Sequence, residues 1–122
     1  MNKTLISLNL ARNDLTHVSI TSLQKSLKNS GVVELDLSHN NLGDLGVAKL
    51  CSFIRTSKNL KVLNVSACRF TNEGGHMLFS EIADNAYALR NLNMSHNKFT
   101  SKNMDKLGYC ILKGDLEILD IT

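Results

Sequence analysis

The side chains with most chemical potential in this sequence are its four histidines and three cysteines. His39 and His96 each occupy a Ser-His-Asn triplet, a recurrence that could serve a metal site or a general base. Cys51, Cys68 and Cys110 cannot all pair within one chain. None has a second cysteine two to four residues away, as zinc sites usually require. A catalytic thiol needs a base or a cation to hold the thiolate, and Cys68 has only Arg69 beside it. Gly74-Gly75 lacks the lysine that would make it a phosphate loop. Asn64-Val65-Ser66 and Asn93-Met94-Ser95 match the glycosylation sequon, but both fall in predicted strands and read as unmodified.

What positions these residues is a repeat. The pattern L-x-x-L-x-L-x-x-N-x-L runs through Leu5, Leu8, Leu10, Asn13 and Leu15, then Val32, Leu35, Leu37, Asn40 and Leu42. It returns at Leu60, Leu63, Val65, Cys68 and Phe70, and again at Leu89, Leu92, Met94, Asn97 and Phe99; Leu116, Leu119 and Ile121 begin a fifth copy. The starts at 5, 32, 60, 89 and 116 lie 27, 28, 29 and 27 residues apart. Between copies, residues spaced by four and eight share one helical face: Ser19, Leu23 and Leu27; Gly46, Leu50 and Ile54; Gly74, Leu78 and Ile82; Asn103, Leu107 and Ile111. Each unit therefore reads as a short strand, a turn and an amphipathic helix. Helices are predicted over 18–29, 45–57, 73–85 and 102–113. Asp44, Asn72 and Ser101 share a repeat position suited to helix N-caps, with Thr16 standing in at the first unit. Gly31 and Gly114 fall where left-handed C-caps are expected.

These units resemble the longer leucine-rich repeats of ribonuclease inhibitor, NOD-like receptors, tropomodulin and Ran GTPase-activating protein, across residues 4 to 122. The resemblance implies an α/β leucine-rich-repeat solenoid, with a curved parallel sheet on the concave side and helices on the convex side. It also implies that the pattern asparagine bonds orphaned backbone groups in the loop after the strand. Residues 1–122 are expected to form one domain of four repeats plus a terminal strand.

In that architecture the alternate strand residues face outward. Three columns follow: Ser7, Glu34, Val62, Asn91 and Ile118; Asn9, Asp36, Asn64, Asn93 and Asp120; and Ala11, Ser38, Ser66, Ser95 and Thr122. Arg12 is the one cation beside them. The candidate partner-binding residues are Ser7, Asn9, Arg12, Glu34, Asp36, Ser38, Val62, Asn64, Ser66, Asn91, Asn93, Ser95, Ile118 and Asp120. With strands about 4.8 Å apart, His39 and His96 stand roughly 10 Å from each other, and no third ligand column converges between them. The sequence thus reads as a non-enzyme with no catalytic, cofactor or metal residues: a scaffold or protein-interaction module. Regulation of a small GTPase, or ligand sensing within a larger receptor, are the alternatives the resemblance allows.

Composition fits this reading. The 43% apolar and 20% charged content is that of a globular protein, and no stretch approaches the length of a bilayer span. The net charge of +3 is spread thinly, without the basic cluster or interleaved aromatics of a nucleic-acid or membrane surface. Three cysteines and no visible secretion signal point to the cytoplasm. The leucines at both ends need cover, so further repeats, a cap or a neighbouring chain are expected there.

Overall fold

A computed structural model describes residues 4–28, 30–85, 88–101, 107 and 116–122. Five strands of three residues each form one parallel sheet in chain order: β1 (Ser7–Asn9), β2 (Glu34–Asp36), β3 (Val62–Asn64), β4 (Asn91–Asn93) and β5 (Ile118–Asp120). Helices α1 (His17–Leu27), α2 (Gly43–Thr56) and α3 (Asn72–Asn85) return the chain between the first four strands. The expected helix at 102–113 lies almost wholly outside the described residues, as do Cys110 and Gly114.

The pairing keeps one register throughout. Leu8, Leu35, Leu63, Leu92 and Leu119 lie opposite one another across the sheet, and the central three are no more than 1% exposed. A one-residue slip would turn every such leucine to the other face, so the buried column fixes the register. Behind it the helices contribute Leu50, Ile54, Leu78 and Ile82 to the same core. Burial falls off at the first unit: Leu5, Leu8, Leu10, Leu15 and Leu23 are only partly covered, whereas their counterparts Val32, Leu35, Leu37, Leu42 and Leu50 are 2% exposed or less. Leu116, Leu119 and Ile121 are likewise partly covered.

After each strand the chain leaves the sheet before it can enter a helix, which strands backbone groups inside the protein. Asn40 takes five of them. Its Oδ1 accepts the N–H groups of Asn13 (3.0 Å) and Leu15 (2.9 Å) from the preceding repeat, and its Nδ2 donates to the carbonyls of Leu10, Leu37 and Ser38. Asn97 repeats the arrangement on Cys68, Phe70, Val65, Met94 and Ser95. Cys68 holds the same position between them, fully buried, with its thiol directed at the carbonyls of Leu37 (3.2 Å) and Ser66 (3.4 Å). The side-chain amide of Asn13, in the first unit, is exposed and donates locally to the Ala11 carbonyl.

Two local expectations are corrected. Asp44 and Asn72 do not cap their own helices; each lies within the first turn and reaches into the next repeat. The Asp44 carboxylate accepts the N–H and hydroxyl of Thr71 (2.9 and 2.5 Å), and Asn72 exchanges bonds with the N–H and hydroxyl of Thr100 (2.9 and 2.6 Å). Gly74 makes room for this, since a Cβ there would collide with the Asp44 carboxylate. Helix α1 does rely on Thr16, whose N–H is accepted by the Ser19 hydroxyl. Gly31 is not a left-handed C-cap: α1 ends at Leu27 with Lys28 at φ −57° and ψ 127°, and among the described residues the left-handed glycine is Gly43, which opens α2.

Truncating Leu63 or Leu92 to alanine is expected to cost about 2 to 5 kcal/mol in a denaturant titration, and Leu8→Ala less, because its side chain is already partly hydrated. Asn40→Ala leaves several inner backbone groups without partners and is expected to cost about 3 kcal/mol or more, against well under about 1 kcal/mol for the exposed Asn13→Ala. Equal losses at the two asparagines would contradict the bonding described.

Candidate functional site: the concave sheet face

The strand register aligns the outward residues into columns. Ser7, Glu34, Val62, Asn91 and Ile118 pair across successive strands, and so do Asn9, Asp36, Asn64, Asn93 and Asp120. Both are at least partly exposed throughout, and Ile118 stands 60% exposed. Two shallow depressions mark the face. One, of about 250 Å³, lies over β1 to β3 between Glu34, Asp36 and Val62; the other, of about 300 Å³, lies over β3 to β5 between Val62, Asn91, Ile118 and Asp120. They share Val62 and Asn64.

The second column also holds the strand ends together. Each of its five side chains folds back so that Oδ1 accepts the N–H two residues on: Asn9 from Ala11, Asp36 from Ser38, Asn64 from Ser66, Asn93 from Ser95 and Asp120 from Thr122, all at 2.9 to 3.0 Å. Such Asx turns explain why the column contains only Asn and Asp. At Asp120 the Thr122 hydroxyl adds a bond of 2.8 Å, and these two donors hold the carboxyl below its usual range.

The serine column departs from the expectation. Ser38, Ser66 and Ser95 are 5%, 6% and 4% exposed, so they do not belong to the open face. Strand geometry ends two residues before them, so the alternation no longer turns their side chains outward. Their carbonyls accept N–H groups of Arg12 (3.1 Å), His39 (3.0 Å) and Ala67 (2.9 Å), which packs the serines between successive loops. The small side chain is what that space admits.

Arg12, His39, Ala67 and His96 share the next repeat position, and all adopt left-handed backbone (φ of 59°, 56°, 50° and 58°). Arg12, His39 and His96 are exposed there on successive loops, with Ala67 between the histidines. The structure does not bring the histidines together with Cys68, which is buried beneath the loops. Burial pushes the Cys68 thiol up to about 11 and the Cys51 thiol up to about 12; backbone N–H groups offset part of this at Cys68, and the nearby Glu81 adds to it at Cys51.

Sequence reasoning missed one cluster on the convex side. Glu81 is buried, its side chain 6% exposed, at the helical position that Phe53 fills in the preceding unit. Arg55 of α2 reaches it at 2.5 Å, and Asn85 donates to it as well. A single acid on a helix reads as solvated; the available signal was the large apolar residue at the equivalent place one repeat earlier.

A family model described as Leucine Rich repeat matches residues 2–23, 28–51 and 56–79, and another with that description matches 88–110. The chain belongs to the leucine-rich-repeat family. Within it the chain is of the ribonuclease-inhibitor-like kind. Ribonuclease inhibitor of Sus scrofa is 38% identical over 82 residues, covering 66% of this chain and 17% of that protein. NACHT, LRR and PYD domains-containing protein 5 of Mus musculus is 38% identical over 74 residues, 60% of this chain and 6% of its own length. The leucine-rich-repeat chain thus spans less than a fifth of either relative. Among solved structures, the tropomodulin C-terminal domain of Caenorhabditis elegans superimposes with a TM-score of 0.86 at 19% identity, and Leiomodin-1 Actin-Binding Site 2 with 0.85 at 14%. Each alignment covers 98% of this leucine-rich-repeat chain, and 75% and 72% of the respective neighbours. These agree on the fold.

The thiols give a pH prediction. Their folded pKa values lie above the ordinary value of 9.0, so the folded state holds these protons more tightly than the unfolded chain. The resulting stability is complete below about pH 9 and is lost as pH rises toward 11 and 12. Chemical denaturation should show this decline, shallower in Cys51→Ala and Cys68→Ala than in the parent. Equal slopes would place the thiols in a wetter setting than described.

Proposed function

We propose that the chain is a protein-binding module that takes its partner on the concave face and its rims and performs no chemistry on it. The observation that carries this reading is the pair of continuous outward columns held in one register over five strands. Solenoids present their partners with extended concave surfaces of this kind. Among the described residues the most nucleophilic side chains, Cys51 and Cys68, are buried thiols with raised pKa values and so are protonated at neutral pH, which supports the non-enzymatic reading. The relative named ribonuclease inhibitor and the neighbour titled as an actin-binding site are both named for action on another protein, which supports the class of function.

Size brings in the rims. Five strands at about 4.8 Å and outward stretches of about 13 Å offer a footprint of roughly 260 Å², while a standard interface takes about 800 Å² from each partner. Loop residues such as Arg12, or additional repeats, must supply the difference. The short share of the NACHT-containing relatives that the chain spans favours a second, compatible reading: a segment of a longer solenoid inside a larger receptor-like protein. Free, buried thiols suit the reducing cytoplasm, and no helix among the described residues is long and apolar enough to cross a membrane.

Glu34→Arg and Val62→Arg alter the face without touching an Asx turn. Each is expected to weaken capture of the native partner by about tenfold or more with the unfolding midpoint unchanged, while His39→Ala and His96→Ala stay within about twofold. Retained binding in both arginine variants would move the interface off this face.

A further inference from the structure

Resting on the concave-face reading, we propose that the face recognises an extended segment carrying a basic side chain and, three residues along, a branched apolar one, laid across the strands from β2 toward β4. Charge is segregated here against the trend of the whole molecule. The chain carries a net +3, yet the two open columns contain Glu34, Asp36 and Asp120 and no lysine or arginine. A basic partner would be repelled by the molecule at large and accepted at this face, which is selectivity rather than general attraction.

The face is also divided. Over β2, Glu34 and Asp36 stand on one strand; Asp36 spends Oδ1 on its Asx turn and Glu34 meets only the Ser7 hydroxyl at 3.4 Å, so both keep oxygens to receive a cation. Over β4, Val62 and the 60% exposed Ile118 flank Asn91 and give the second depression apolar walls. The rim where β3 and β4 begin carries the exposed Lys61, and Arg90 placed 3.9 Å from Glu117. Lys61 and Arg90 offset the two acids of that side, Glu117 and Asp120, whereas Val33 holds the equivalent place before β2 and leaves Glu34 and Asp36 uncompensated, which directs a basic group to β2. The occupant therefore has an orientation: cation over β2, apolar side chain between Val62 and Ile118.

Spacing selects the backbone. Two strand steps separate the subsites by roughly 10 Å. Three residues of polyproline II advance about 9.3 Å and, with three residues per turn, return both side chains to the same face. A fully extended β segment covers a similar distance but turns the third side chain away. The occupant is thus a polyproline II peptide of the form basic-x-x-aliphatic, and its longer, solvated neighbours would meet the rims.

The probe is the capped peptide Ser-Arg-Pro-Pro-Leu-Ser, titrated to millimolar concentration into the full chain while backbone amide NMR shifts are followed. Shifts confined to β2 through β5, weakening with added salt, are expected. Glu34→Gln with Asp36→Asn, which removes charge but keeps the Asx turn, should weaken binding about fivefold, and Ile118→Ser should do so with the salt dependence unchanged. A control peptide with glutamate for arginine should bind at least about fivefold more weakly. Equal shifts on the concave face with either peptide would overturn this inference and leave the concave-face reading standing. Shifts confined to the helices would overturn both. No shifts at all would overturn the peptide chemistry alone, because the arginine variants tested on the native partner judge the face independently.

Discussion

Turning from a strand into a helix inside a packed protein exposes backbone N–H and C=O groups to a place where neither sheet nor helix can pair them, and burying such groups unpaired is costly. The repeat exists because a side-chain amide takes that burden across the boundary between units. Asn40 and Asn97 each satisfy groups in their own loop and in the loop before, so the bond that closes one unit also fixes its distance from the next. The leucine column, the register of the sheet and the alignment of the outward columns all follow from units held at that constant separation. Asx turns complete the same task on the open side, where the second column tethers each strand end.

This dual use limits how the concave face can vary. Its second column needs an oxygen that can reach two residues along the chain, which leaves Asn and Asp; their difference is a charge at Asp36 and Asp120 set against amides at Asn9, Asn64 and Asn93. The first column carries no such duty and ranges from Ser7 and Glu34 to Val62 and Ile118. Sequence diversity that could distinguish partners is therefore concentrated in the first column, and the second contributes a background of polarity with adjustable charge.

The periodicity of the sequence was enough to place the strands, because it depends on one residue type recurring at one place, and the family resemblance carried by that pattern supplied their parallel order, the two open columns and the role of the pattern asparagines. What escaped it depends on pairs of residues in different units. Ser38, Ser66 and Ser95 read as outward by alternation, and only the position of the neighbouring loop shows that they are enclosed. Asp44 and Asn72 have the composition of helix caps, yet the groups nearest their oxygens belong to Thr71 and Thr100 in the following repeat. Glu81 has its partner, Arg55, 26 residues away, and nothing local distinguishes it from a solvated acid. The helix expected at 102–113 falls largely outside the described residues and adds nothing to this comparison.

The single exchange of asparagine for Cys68 makes the joints of the solenoid mechanically unlike. Between the first and second units the amide of Asn40 ties the loops directly, whereas between the second and third a thiol offers one proton where an amide would offer two and a strong acceptor. That second joint is instead bolted on its helical side, by Arg55 to Glu81. A bending load would find the first joint stiff along its loop edge and the second stiff along its helical edge. Curvature would then change by hinging about different lines at successive joints, and the sheet would flex with a twist rather than open evenly like a fan.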